Sequence, residues 1–208
     1  MGVVRYGLYS FLVLCVAHVV SFHISFGSPL YRAVDRGDTA ELSKLLSTGA
    51  DPNVGYAVGP LYADTPLLHA MSKGNVQHVS ALLKAGADVD AGLTFGPTGV
   101  LASLTPLHYA AYAGHADVVR ELLKAGAKAD TTSTVGPFGV IFSTTPLYAA
   151  AEKGHADIVR EMLKFAGPRA AVNAGFWAFG GLLSESPLKA AEREGHHDVA
   201  KLLREHHG

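Results

Sequence analysis

Cysteine occurs only once in the chain, as Cys15, so no intramolecular disulfide can form and no paired-thiolate metal site exists. Charge is scarce too: Asp, Glu, Lys and Arg make up 17% of the chain, against about 25% in an average soluble protein. The 17 basic and 18 acidic side chains leave a formal net charge of −1, with no basic excess to hold a nucleic acid, and none is expected as a partner. Catalytic signatures are missing as well. There is no Gly-Lys-Ser/Thr phosphate loop, no His-Glu-x-x-His and no Gly-x-Ser-x-Gly. The glycine-rich stretch from Gly92 to Gly99 lacks the lysine that would reach a phosphate. No cofactor is implied.

The missing charge is concentrated in a few places. No Asp, Glu, Lys or Arg lies in 6–31, 54–63, 91–104, 131–144 or 174–184. Every charge falls in the rest of the chain, where the density rises to about the 25% of an ordinary soluble protein. The chain reads as a soluble scaffold with five uncharged inserts.

Ser28-Pro29-Leu30, Thr65-Pro66-Leu67, Thr105-Pro106-Leu107, Thr145-Pro146-Leu147 and Ser186-Pro187-Leu188 recur at intervals of about 40 residues, which marks an internal repeat. Each hydroxyl can cap a helix and each proline suits the first helical position, where its missing N–H has no partner to lose. Gly37, Gly74, Gly114, Gly154 and Gly195 follow at a constant distance and end a short first helix. A second, amphipathic helix is predicted after each, carried by Leu42, Leu45 and Leu46, by Leu82 and Leu83, by Val118 to Leu123, by Ile158 to Leu163, and by Leu202 and Leu203. The first helices are lined with alanine instead, at 110–111, 149–151 and 190–191, which lets neighbouring helices approach closely.

Thr-Pro-Leu-His-Tyr-Ala-Ala at 105–111, Gly-His-Ala-Asp-Val-Val-Arg-Glu-Leu-Leu at 114–123 and its near copy at 154–163 resemble the ankyrin repeat. The resemblance extends over nearly the whole chain beyond its first insert. It implies a mostly α solenoid of helix-turn-helix pairs over 28–208, with repeats starting near 28, 65, 105, 145 and 186 and a hairpin finger between successive pairs. The family's histidine after Pro-Leu is kept only at His108; Tyr31, Leu68, Tyr148 and Lys189 replace it. The repeating unit is also longer than the family's, which is about 33 residues, and the excess falls in the fingers.

The fingers begin at Asn53, Asp90, Asp130 and Asn173, and turn at Gly59-Pro60, Gly96-Pro97, Gly136-Pro137 and Gly180-Gly181. Fingers of this length are expected to be paired β-hairpins. Their uncharged sequence allows two readings. Adjacent hairpins could bury their apolar side chains on one another, or an outside surface could cover them, because isolated proteins seldom show large apolar patches to water. Three consecutive apolar residues, Val140, Ile141 and Phe142, place side chains on both faces of a strand and favour an outside surface. The expected partner-binding residues are Tyr56, Val58, Leu61, Tyr62, Phe95, Val100, Leu101, Val135, Phe138, Val140, Ile141, Phe142, Phe176, Trp177 and Phe179, with the concave face as a second surface.

Residues 1–27 form a separate apolar segment. Arg5 precedes a run from Leu8 to Val20, and the uncharged stretch from Tyr6 to Gly27 is long enough to span a bilayer as a helix, which takes about 20 residues. In a single-pass anchor Leu8, Phe11, Leu12, Val13, Leu14, Val16, Val19, Val20 and Phe22 would meet lipid. The same layout fits a signal peptide cleaved after Ser21 or Gly27, and an apolar cap over the first repeat is a third reading. Location at a membrane or in the secretory pathway is expected. Met1-Gly2 is no myristoylation signal, since Tyr6 stands where that motif needs Ser or Thr.

Of the 11 histidines, His196 matches His115 and His155 in a Gly-His step, and His206 and His207 lie at the terminus beyond His197, so no metal site is expected there. An enzyme would have to use His69, His78 or His108 on the concave face, with no nucleophile or carboxylate placed beside them by spacing. The expected function is therefore non-enzymatic: a membrane-tethered protein-binding module, a scaffold or assembly subunit of a larger complex. A secreted or lumenal binding protein is the alternative.

Overall fold

The computed structural model describes residues 28–54, 56–58, 62–95, 102–135, 142–166, 175–178 and 183–206. Within these, inner helices α1 (Pro29–Arg36), α3 (Pro66–Ser72), α5 (Pro106–Ala113), α7 (Pro146–Lys153) and α9 (Pro187–Glu194) alternate with outer helices α2 (Thr39–Ser47), α4 (Val76–Lys84), α6 (Ala116–Lys124), α8 (Ala156–Ala166) and α10 (His197–Glu205). Each inner helix starts as its sequence dictates. The hydroxyls of Ser28, Thr65, Thr105, Thr145 and Ser186 accept from the backbone N–H three residues on, and proline opens the first turn.

Size complementarity stacks the pairs. Ala70, Ala110, Ala111, Ala150, Ala151, Ala190 and Ala191 of the inner helices are completely buried, and they leave room for one bulky residue from each outer helix: Leu42, Leu82, Leu122, Met162 and Leu203, also completely buried. All of these but Ala190 belong to one hydrophobic core that runs through the repeats, and Ala190 packs with Tyr148, Phe176 and Ala178 in a second, smaller cluster. Each such large side chain contributes roughly 1.5–3 kcal/mol.

The step between inner and outer helix is glycine for a reason particular to the stack. Gly114 and Gly154 have φ of 81° and 76°, and a Cβ there would lie 2.8 Å from the His155 ring and 2.6 Å from the His196 ring of the next repeat. His155 Nε2 is 3.3 Å from the Tyr112 carbonyl oxygen and His196 Nε2 is 3.1 Å from that of Glu152. The Gly-His pair is thus a lap joint, with the histidine of one repeat laid over the glycine of the one before.

Both ends of the array are polar at positions that are buried elsewhere. Val118, Ile158 and Val199 are buried, and the equivalent His78 reaches back to Thr39 of the preceding repeat; in the first repeat that position is Glu41, which is exposed. At the other end, Arg204 stands where Leu123 and Leu163 are buried, and it bonds Glu192. Terminal repeats of solenoids need such polar faces. Residues 1–27, expected to hold an apolar helix, lie outside the described residues. Among the described residues no helix is long and apolar enough to cross a membrane.

The fingers are hairpins as expected, and they join. Strands β1 (Tyr56–Val58), β2 (Tyr62–Asp64), β3 (Leu93–Phe95), β4 (Ala102–Leu104), β5 (Ser133–Val135), β6 (Phe142–Thr144), β7 (Phe176–Ala178) and β8 (Leu183–Glu185) form one antiparallel sheet in chain order. Finger bases are locked to one another by side chains: Asn53 Oδ1 accepts from the Asp88 N–H at 2.8 Å, and Asp90 Oδ1 from that of Lys128 at 3.3 Å.

Candidate functional site

Strand register sorts the uncharged inserts into two faces, since alternate residues of a strand share a face and directly paired residues lie side by side. One row runs Val58, Tyr62, Phe95, Ala102, Val135, Phe142, Ala178, Leu183, each paired to the next across the whole sheet. No charged residue interrupts it. The intervening positions make the opposite row: Ala57, Ala63, Thr94, Ser103, Thr134, Ser143, Trp177 and Ser184, small or hydroxylated except for the tryptophan.

The apolar row is on the side of the inner helices. Asp64, Leu104, Thr144 and Glu185, the last residues of the returning strands, share its face, and three of them bond to the inner helix of the preceding repeat. Tyr31 Oη donates to Asp64 Oδ2 at 2.9 Å, His108 Nε2 lies 2.6 Å from Thr144 Oγ1, and Tyr148 Oη donates to Glu185 Oε2 at 2.6 Å. The corresponding residues at the second junction are Leu68 and Leu104, both buried in the main core. The residue three after one cap and the residue before the next cap are therefore chemically matched at every junction: phenol with carboxylate, imidazole with hydroxyl, leucine with leucine. Replacement of the family's histidine is compensated at its partner position. Burial pushes the His108 ring down to about 3, and burial followed by Glu185 raises the Tyr148 phenol.

Sheet and inner helices so define a groove, whose floor carries charges that pair from repeat to repeat. Asp35 Oδ1 takes Lys73 Nζ at 3.1 Å and His69 Nε2 at 3.0 Å. Burial alone would raise the Asp35 carboxyl, but these two bonds outweigh it and hold it below the usual range. Lys153 Nζ sits 4.7 Å above the Tyr112 ring. Arg193 bridges Glu152 at 3.3 Å and Glu185 at 3.2 Å, and also contacts Glu194. With this much of its charge spent internally, the floor leaves the apolar row as the groove's distinctive chemistry.

Of the residues expected to bind a partner, Leu61, Val100, Leu101, Phe138, Val140, Ile141 and Phe179 lie outside the described residues. Register pairs Tyr56 with Asp64 and puts Val58, Tyr62, Phe95 and Val135 in the uncharged row. Phe142 is half-buried, with its ring 5.9 Å from that of Phe176. Phe176 is 6% exposed, with its ring 5.8 Å from that of Tyr148, in a cluster with Ala178 and Ala190. Trp177 is half-buried in the opposite row. Leu183 was not among the expected residues, yet it ends the apolar row and is 50% exposed; the signal in sequence was its place two residues before an acidic strand end.

The three histidines considered for catalysis are each engaged across a junction: His69 with Asp35 and Tyr31, His78 with Thr39, His108 with Thr144. Asp35 supplies the carboxylate that spacing could not place beside His69. Among the described residues no group of three or more His, Cys, Asp or Glu is placed to hold a metal. His206 Nδ1 lies 2.9 Å from the Leu202 carbonyl oxygen.

Two sequence models match the chain: one described as ankyrin repeats (3 copies) over residues 26–134, and one described as ankyrin repeats (many copies) over residues 107–166. No curated protein matches it.

Proposed function

The chain belongs to the ankyrin repeat family, whose arrays are protein–protein interaction modules, and we propose that this one is a non-enzymatic module that docks its partner along the apolar row of the groove. The observation that carries the reading is the row itself. Eight paired strand positions hold no charge, in a chain whose remaining residues have ordinary charge density; of those whose burial is described, Ala178 packs into the scaffold, Phe142 is half-buried and Leu183 is half-exposed. A groove of that composition gains most from desolvating an apolar partner segment. Leu183 is the place to test it, being half-exposed and outside the core cluster. Leu183→Asp should leave the thermal unfolding curve nearly unmoved, within about 0.5 kcal/mol as for most surface changes, and should sharply weaken recovery of the native complex from its source. An unchanged complex would remove the groove from consideration.

Residues 1–27 are proposed to tether the module to a membrane, making it a scaffold or assembly subunit beside a larger complex. Their lack of charge from Tyr6 to Gly27 supports this. Exposed Glu41 supports it indirectly, because the outward face of the first repeat offers an apolar cap helix little to cover. Deleting 1–27 should leave a folded array that no longer sediments with membranes. Sedimentation that persists refutes the tether, and an intact mass well below 21.8 kDa in the native protein assigns the segment to a cleaved signal instead.

A further inference from the structure

We propose that residues 25–27 add a ninth strand along the outer edge of β1, so that the segment before the first helix extends the sheet and brings residues 1–24 to the finger side of the groove. The repeat frame points there. Each returning strand, β2, β4, β6 and β8, ends at the second residue before the proline of an inner helix and begins two residues earlier, as Tyr62–Asp64 does before Pro66. Counted back from Pro29, that frame falls on Ser25, Phe26 and Gly27. The chain also enters α1 as it enters the other inner helices, since Ser28 has an extended ψ of 158°, against 153° to 158° at the other four caps.

β1 offers the edge that such a strand needs. Strands β2 to β7 pair on both sides, whereas β1 pairs with β2 alone, which leaves backbone N–H and C=O groups on its other side without a strand partner among the described residues. Val54, at the base of β1, is 47% exposed, although its counterparts Ala91 and Thr131 are half-buried. Its carbonyl oxygen accepts from the Ser28 hydroxyl at 3.5 Å, so the chain leaves the array beside this edge. Where one finger meets the next, the first residue of the returning strand pairs with the last of the outgoing one: Tyr62 with Phe95, Ala102 with Val135 and Phe142 with Ala178. The same register sets Ser25 against Val58 and Phe26 against Ala57, and Ser25 lengthens the uncharged row by one position. Gly27 fits too. It takes the place of Asp64, Thr144 and Glu185, whose side chains bond to the inner helix of the preceding repeat. α1 has no inner helix before it among the described residues, and glycine has no side chain to place.

An antiparallel strand on β1 runs towards the helix, as β2 does, so the residues before Ser25 arrive from the turn end of the fingers. From Tyr6 to Ile24 they number 19, all uncharged, which is still within the about 17–25 that span a bilayer. The tether proposed above then hangs from the finger side of the array. The strand itself does not rest on that reading, because cleavage after Ser21 leaves residues 25–27 in place.

Disulfide trapping in the full chain tests the strand, with Cys15→Ser made first so that no other thiol competes. Directly opposed residues of antiparallel strands have Cα atoms about 4.5–5.5 Å apart, inside the roughly 4.4–6.8 Å that a disulfide accepts. Under oxidised glutathione, Ser25→Cys with Val58→Cys should lose both thiols to one intramolecular bond, located by peptide mapping. Phe26→Cys with Val58→Cys should not form it, since successive residues of a strand point to opposite faces. Failure of the first pair to close overturns the proposal, as does equal closure of both pairs, a disulfide-linked dimer in which a second copy takes the edge, or a native chain that begins at Ser28. Loss of membrane sedimentation with the first bond intact would refute the tether and leave the strand. Should the variants fail to fold, residue-resolved amide exchange of the native chain decides: protection of every β1 amide sustains the strand, and exchange at the unfolded rate of those pointing away from β2 overturns it.

Discussion

Thr144→Val should destabilise the array by about 1–3 kcal/mol, although the substituted side chain keeps its shape, because it strips the hydroxyl from a fully buried imidazole. His108→Leu, made alone, should incur a similar penalty by leaving the Thr144 hydroxyl without the ring. The informative variant joins His108→Leu to Thr144→Leu. The second junction already uses leucine at both equivalent positions, Leu68 and Leu104, and buries both in the core. The double variant should therefore recover most of either loss, with a coupling of about 0.5–3 kcal/mol in a chemical-unfolding cycle. Additive losses would show that the junctions are not interchangeable and that the matched chemistry is incidental. Because His108 stays neutral down to about pH 3, the cycle should read the same at pH 6 as at pH 8, to within about 0.3–0.5 kcal/mol.

Why the matching escapes a reading of the sequence is instructive. Caps, first-turn prolines and the Gly-His step are local: Thr105 finds its donor three residues away, and that distance is visible in the letters. Tyr31 and Asp64 are 33 residues apart, and nothing local says that the residue before one cap faces the residue three after the preceding cap. The same holds for the groove. Composition shows that the fingers are uncharged, but each strand is only three residues long, too short for alternation to declare a face. Phe176-Trp177-Ala178 reads as a uniformly apolar tip; pairing with β6 and β8 turns Phe176 and Ala178 inward and Trp177 to the opposite row. Leu183 fails to stand out for the converse reason, since it resembles its counterpart Ala102 in register but has no following strand to cover it among the described residues.

Leu122→Ala and Leu203→Ala remove the same atoms from equivalent, completely buried positions, yet they should unfold the protein differently. Each should lose about 2–5 kcal/mol locally through lost transfer energy and the cavity left behind. In a solenoid each repeat leans only on its neighbours, so stability is a sum of repeat and interface contributions along one dimension. Leu122, in α6, lies in the central repeat, and its lesion weakens the interfaces of α6 with both α4 and α8. The array should then separate into two weakly coupled halves, with a broadened thermal transition and probes on either side that no longer coincide. Leu203, in α10, has a neighbouring outer helix on one side only among the described residues, and its loss should fray that repeat while the main transition keeps its midpoint and sharpness. The distinction reaches function, because the apolar row is continuous only while all eight strands stay in register. The central variant should lose partner binding well below its unfolding temperature, whereas the terminal one should lose only the contacts made near Leu183. Equal broadening in the two variants would mean that the array folds as one cooperative block, and that the groove can be lost only with the whole fold.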